Sequence, residues 1–173
     1  MKFEHLVQIN DPSLPGVDWL TRQQLWFGLV ARAWKPTKFI LGLQSAEIVQ
    51  TQQRENVTVL KRVLDYGPFK IEDTTSLHEE DRTETTITAN EFCGNSTLTI
   101  CIEEPEPGEL WLRFNYDVGE LSTKTLNNAQ TLSRQEEEVR KQAYRASDID
   151  TVRMIRELAL TIPPDDNDPR KDH

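Results

Sequence analysis

The stretch Ser96–Asp117, STLTICIEEPEPGELWLRFNYD, reads as two alternating runs around a turn. Leu98, Ile100 and Ile102 alternate with Thr97, Thr99 and Cys101; beyond EPEPGE, Leu112, Phe114 and Tyr116 alternate with Trp111, Arg113 and Asn115. A period of two places each set on one face of a strand, and the prolines and glycine between the runs turn the chain. The result is an antiparallel hairpin with one apolar face, which must pack against another layer.

Working outward, Val57 to Tyr66 is a further strand and YGPF a turn. FKIEDTTSLHEEDRTETTITA reads as two polar strands joined at His78–Asp81, rich in threonine and with a solvated face. Glu47 and Arg62 fall on strands where the parity facing inward is left open. At the N-terminus Phe3, His5, Val7 and Ile9 alternate with Glu4, Leu6 and Gln8, giving one mostly apolar strand face. NDPSLPG then punctuates the chain.

Two helices flank this β region. In LTRQQLWFGLVARAWKP (Leu20–Pro36), Thr21 and Gln24 form a capping-box signature and Pro36 a stop. Its apolar residues fill an arc of about 200°, roughly twice what a one-sided surface helix needs, with Arg32 at the edge. Trp26 and Phe27 are expected in the core, with Trp34 and Arg32 the residues that reach a ligand. PTKFILG suggests a second short helix. After a polar connection, a capping box at Ser133–Glu136 opens a long helix running to about Thr161, stopped by Pro163 and Pro164. Val139, Ala143, Ala146, Ile149, Val152 and Ile155 are mostly three apart, so one bent helix is preferred to a restart at SDID (147–150). Residues 1–162 are expected to form one domain and 163–173 a disordered charged tail.

A net charge of −9 argues against nucleic-acid and anionic-membrane surfaces, which need clustered cations. The alternating N-terminus does not read as a signal peptide, and no apolar run is long enough for a membrane span to be expected. Cys93 and Cys101 read as two reduced thiols, and a cytoplasmic location is expected. Among three histidines and two cysteines no metal set stands at usable spacing. The seven glycines are scattered, so no phosphate loop is present and no cofactor is expected. There is no G-x-S-x-G elbow.

The fold class is therefore α+β: a curved antiparallel sheet of about seven strands on a long C-terminal helix, with short helices after strand one. This order resembles the helix-grip fold of the START-like, or SRPBCC, superfamily, which includes birch-pollen allergens and aromatic polyketide cyclases. RQQLWFGLVARAWKPTKFILGL, STLTICIEEPEPGELWLRFNYD and AYRASDIDTVRMIRELA resemble the AtaL-like branch, over residues 1 to about 162. The resemblance implies a deep, mainly apolar cavity between sheet and C-terminal helix, used for hydrophobic small molecules. It brings no catalytic residue set to transfer.

The residues themselves suggest a site. His5, on the apolar parity of strand one, suits general acid–base work, although a hydrogen-bonded wall histidine is the simpler reading. Arg32 could meet a ligand's carbonyl or enolate oxygen or a structural carboxylate. Tyr116 shares parity with Leu112 and Phe114 and is the preferred inward phenol. His5, Arg32 and Tyr116 are thus the catalytic candidates; Trp34, Tyr66, Trp111 and Phe114 are the ligand-binding candidates, each also explicable by packing. His78 is expected to be solvated and His173 to lie in the tail.

The expected function is a cofactor-free enzyme of secondary metabolism that binds a polyketide-like or other hydrophobic intermediate in a cavity and promotes cyclisation, isomerisation or dehydration. The alternatives are a non-catalytic carrier of a hydrophobic small molecule and a protein-interaction scaffold with a filled core. No nucleic-acid partner and no membrane insertion are expected, and a homodimer is left open.

Overall fold

In the computed structural model the chain runs β1 (Lys2–Gln8), α1 (Arg22–Trp34), a 3-10 turn (Pro36–Lys38), β2 (Ser45–Arg54), β3 (Val57–Asp65), β4 (Lys70–His78), β5 (Arg82–Ile87), β6 (Ser96–Glu103), β7 (Trp111–Val118) and α2 (Ala129–Ala159). The structure describes residues 1–90, 94–119 and 129–161, the side chains of 129–133 excepted. The strands form one antiparallel sheet in the order β1-β7-β6-β5-β4-β3-β2. Strands β2 to β7 follow one another as a meander, and β1 closes beside β7. This is the helix-grip arrangement read from the sequence.

The hairpin at Ser96–Asp117 forms as expected, with Leu98 opposite Tyr116, Ile100 opposite Phe114 and Ile102 opposite Leu112. Gly108 sits at φ 85, a conformation that favours glycine, inside its turn. Register carries the inward face across the sheet: Phe3, Tyr116, Leu98, Thr85, Thr75 and Leu60 lie in one row from β1 to β3. The row changes from apolar to polar and back, so the inner wall is not uniformly greasy. Arg62 faces inward and is buried, whereas Glu47 on β2 is exposed, which resolves both open parities.

The capping box of α1 is present: Thr21 Oγ1 accepts from Gln24 N at 3.1 Å, and Gln24 Oε1 accepts from Thr21 N at 2.9 Å. The buried side of the helix differs from expectation. Its buried residues are Gln24, Leu25, Gly28, Leu29 and Ala33, an arc of about 180° with Arg32 near its middle, not at an edge. Phe27 and Trp34, at 48% and 41% exposure, lie on the far side. The reason is Gly28, whose missing side chain admits Ile155 of α2: a Cβ there would stand 2.5 Å from Ile155 Cγ2. An apolar-arc count ignores glycine, and here glycine marks a close approach of the two helices. On the flank, Trp26, Val30 and Ala33 pack with Leu60 of β3 and Leu77 of β4. PTKFILG gives only the 3-10 turn and a buried Phe39.

Helix α2 is continuous through SDID and begins at Ala129, ahead of the capping signature at Ser133. Its buried residues are Asp148, Thr151, Val152, Ile155 and Ala159, with Tyr144 half-buried. Of the six apolar residues whose spacing suggests a bent helix, only Val152 and Ile155 are buried. Val139 and Ile149 are 66% and 56% exposed. The stripe has the ordinary helical period once Tyr144, Asp148 and Thr151 are counted in it. Arg156 of this helix donates from Nη1 to the Asp18 carbonyl at 2.9 Å, tying down the loop before α1. Cys93, His173, Pro163, Pro164 and the 163–173 tail lie outside the described residues. Among the described residues no helix is long and apolar enough to cross a membrane.

Candidate functional site

Four elements converge on one buried carboxylate. Asp148 descends from α2, 2% exposed. His5 of β1 and Tyr116 of β7 come from adjacent strands, where Phe3 pairs with Tyr116 and His5 with Phe114. His5 Nδ1 lies 2.9 Å from Asp148 Oδ2, and the Tyr116 hydroxyl donates to Asp148 Oδ1. Arg32 of α1 is close enough for its charge to couple to Tyr116 and Asp148.

Burial governs the electrostatics. It pushes the Asp148 carboxyl above the ordinary aspartate range, against the opposing pull of the Tyr116 and His5 hydrogen bonds. The Tyr116 phenol is pushed far up, first by burial and then by the neighbouring Asp148, so it stays neutral and donates. Burial lowers the Arg32 guanidinium from its usual value, and the nearby Arg62 adds to the effect. Arg32 Nε is buried with no hydrogen-bond partner among the described residues. The residue as a whole is half-buried.

Aromatic rings frame the carboxylate. Tyr144, one helical turn before Asp148, stacks on Tyr116 at 4.2 Å between centroids. Phe3 lies 5.8 Å from Tyr116, and Phe114 lies 6.3 Å from His5. These faces exclude water and hold the phenol and imidazole in place.

A second buried polar group stands beside this one. Arg62 Nε donates to Asp73 Oδ1 at 2.8 Å and Nη2 to Asp73 Oδ2 at 2.7 Å, a two-point pair between β3 and β4. Its Nη1 donates to the Ala33 carbonyl of α1 at 2.7 Å. Every arm of this guanidinium is occupied.

His5, Tyr116 and Arg32 are therefore brought together. Phe114 is wholly buried beside His5. Tyr66, just after β3, stacks on Phe69 at 5.2 Å and feels the charges of Asp73, Arg32 and Arg62. Its phenol is shifted up, first by burial. Trp111 is carried on the opposite parity with Arg113, which binds Glu103, and does not join the group. Trp34 stays exposed at the end of α1. His78 is half-buried at the end of β4, with Nε2 3.7 Å from Glu84. A groove of about 550 Å³ beside β1, β6 and β7 is lined mainly by Lys2, Glu4, Thr97, Thr99, Asn115 and Asp117, and so opens on the outer face. Among the described residues no three His, Cys, Asp or Glu side chains gather as a metal site.

Sequence reasoning missed Asp148, Tyr144 and Asp73. Asp148 stands four residues from Tyr144 and from Val152, a spacing that puts all three on one helical face. Reading only apolar residues hid it.

No curated protein sequence matches the chain significantly. Among solved structures, the chain is similar to the ZhuI aromatase/cyclase from Streptomyces sp. R1128, with TM-score 0.60 and 11% identity over 94% of this chain and 96% of that one. It is similar to the di-domain ARO/CYC BexL from the BE-7585A biosynthetic pathway, with TM-score 0.62 and 16% identity over 94% of this chain and 51% of that one. Ara h 8.0201 also matches, with TM-score 0.53 and 15% identity over 93% of this chain and 98% of that one. At such identities these likenesses establish the shared helix-grip fold. Residues 7–161 match the family described as AtaL, acetylaranotin biosynthesis cluster protein L, and the chain belongs to that family.

Proposed function

We propose that this protein is a cofactor-free enzyme of secondary metabolism that holds a polyketide-like or other hydrophobic intermediate and promotes its cyclisation, isomerisation or dehydration. The observation that carries the reading is Asp148, a buried carboxyl shared by His5 and Tyr116 beside the unpartnered Arg32 Nε. The family's description as a biosynthesis cluster protein and the aromatase/cyclase names of two similar folds point the same way.

The chemistry follows from one shared proton. With Asp148 ionised, the imidazole keeps its proton on Nδ1 and leaves the Nε2 lone pair as a base. Burial makes the protonated form of Asp148 more accessible, and in that form Nδ1 accepts and Nε2 carries the hydrogen. A ligand C–H next to a carbonyl would give its proton to Nε2. The resulting enolate oxygen would be held by the Arg32 guanidinium. The imidazolium would return that proton to the new carbon in an isomerisation, to the new alkoxide in a cyclisation, or to the departing hydroxyl, which leaves as water, in a dehydration. Cyclisation, isomerisation and dehydration all begin with this abstraction. Tyr116 keeps Asp148 aimed, and the aromatic frame fixes the reactive conformer and excludes water.

The test is turnover of the pathway's candidate intermediates by purified protein. His5→Gln and Asp148→Asn should each lower kcat by about 10²-fold, the ordinary worth of a general acid or base. A product distribution identical with and without wild-type protein overturns the catalytic reading. If the intermediate still binds, the protein is a carrier.

A further inference from the structure

We propose that the ligand of this site carries a negatively charged oxygen group, a carboxylate or an enolate, that pairs with Arg32. The proposal rests on reading the cluster as a ligand site and names the class of molecule it accepts.

Arg62 and Arg32 both enter the interior, and only Arg62 is directly paired with an anion. Arg62 has both oxygens of Asp73 and the Ala33 carbonyl. Arg32 makes no hydrogen bond or ion pair among the described residues, although it sits near the middle of the buried arc of α1. Asp148 is the nearest candidate counter-charge, yet its two oxygens already face Tyr116 and His5. The remaining groups whose charges reach Arg32 are Tyr66, Tyr116 and Arg62. The two are phenols pushed upward by burial and hence neutral, and Arg62 is a cation already matched by Asp73.

A guanidinium whose Nε is withdrawn from water without a partner is stabilised by an anion or a further acceptor. Arginine presents a planar fork that suits a carboxylate or a delocalised enolate. Tyr144, Tyr116 and Phe3 offer ring faces nearby. The combination selects a molecule with an apolar, unsaturated body and one anionic oxygen group. A wholly neutral hydrocarbon would leave the buried Arg32 Nε unmatched.

The test compares two fluorescent probes with the same ring system, 8-anilinonaphthalene-1-sulfonate and neutral N-phenyl-1-naphthylamine, binding to the full chain at pH 7. The sulfonate stands in for the carboxylate or enolate. Wild type should bind the anionic probe at least tenfold more tightly. Arg32→Met should remove that preference and leave the neutral probe's affinity unchanged, while Arg32→Lys should keep part of it. Near-UV circular dichroism checks that each variant is folded, and Arg32→Gln replaces Arg32→Met should the latter not fold. Equal affinities in wild type, or a preference that survives Arg32→Met, overturn the proposal while leaving the apolar site intact. Failure of both probes to bind overturns the ligand-site reading with it.

Discussion

Arg62 and Arg32 stand in one interior, on β3 and α1, and differ in what surrounds them. Arg62 is 2% exposed and bound at every arm, within two neighbouring strands and one helix carbonyl. Arg32 belongs to a group drawn from α1, β1, β7 and α2, in which a single carboxylate serves two other side chains. The first group is closed and can be complete without anything added. The second is assembled from four elements and leaves a donor unmatched. A closed pair holds a fold together; an open one holds it ready for a ligand. Each of the following substitutions acts on one group and should spare the other.

The largest effect is expected at the closed pair. Asp73→Ala leaves the Arg62 cation buried without its anion, and should cost about 3–5 kcal/mol in urea denaturation. Replacing both, as Arg62→Met with Asp73→Leu, should cost far less, because no uncompensated charge is left behind. A single loss no greater than the double would show that Arg62 and Asp73 are not the closed unit described.

Next in size is Gly28→Ala. The new Cβ would meet Ile155 Cγ2 at 2.5 Å and Cγ1 at 2.6 Å, so α1 and α2 must part. Overpacking of this kind costs about 1–3 kcal/mol. Because the same two helices carry Arg32 and Asp148, turnover should fall as well, whereas Arg62 and Asp73, on β3 and β4, should keep their pairing. Unchanged stability together with unchanged kinetics would break the link between the helix contact and the open group.

Much of the fold was legible in the sequence because its strands alternate cleanly. Leu98, Ile100 and Ile102 face Leu112, Phe114 and Tyr116 as their periods require. The helices were harder for a physical reason. The buried stripe of α2 is part polar, through Tyr144, Asp148 and Thr151, so a search for apolar residues selected the exposed Val139 and Ile149 instead. On α1 a close approach to α2 is made by a residue with no side chain. His5, Arg32 and Tyr116 could be named singly from parity and charge. Their meeting point could not, since Asp148 lies 143 residues from His5 in the chain.

Asp148 gives a smaller, pH-dependent effect. Its folded carboxyl is shifted up by burial, so the native state binds more protons than the unfolded chain above the ordinary aspartate pKa. Stability contributed by the protonated form is then present at low pH and lost as pH rises toward the shifted value. Asp148→Asn removes that loss. Relative to wild type, the variant should therefore gain stability as pH rises from about 4, in denaturation series at several pH values. A difference that is flat with pH would mean that Tyr116 and His5 offset burial completely.

The smallest expected change is the most diagnostic, because its sign is unusual. Truncating most buried side chains destabilises a protein. Arg32→Met keeps an apolar stem and deletes a guanidinium whose buried Nε has no partner among the described residues. Desolvation of that Nε is a cost the folded state carries without a compensating bond. Removing it should raise stability by about 0.5–1 kcal/mol, as happens where a functional group is held at the expense of the fold. Thermal unfolding of the ligand-free protein reads this directly as a higher Tm. The matching change at the closed pair, Arg62→Met, should lower it, since Asp73 would lose its cation. A fall in Tm for Arg32→Met as well would make the two arginines equivalent, and Arg32 would then be part of the scaffold and not the residue kept for a ligand.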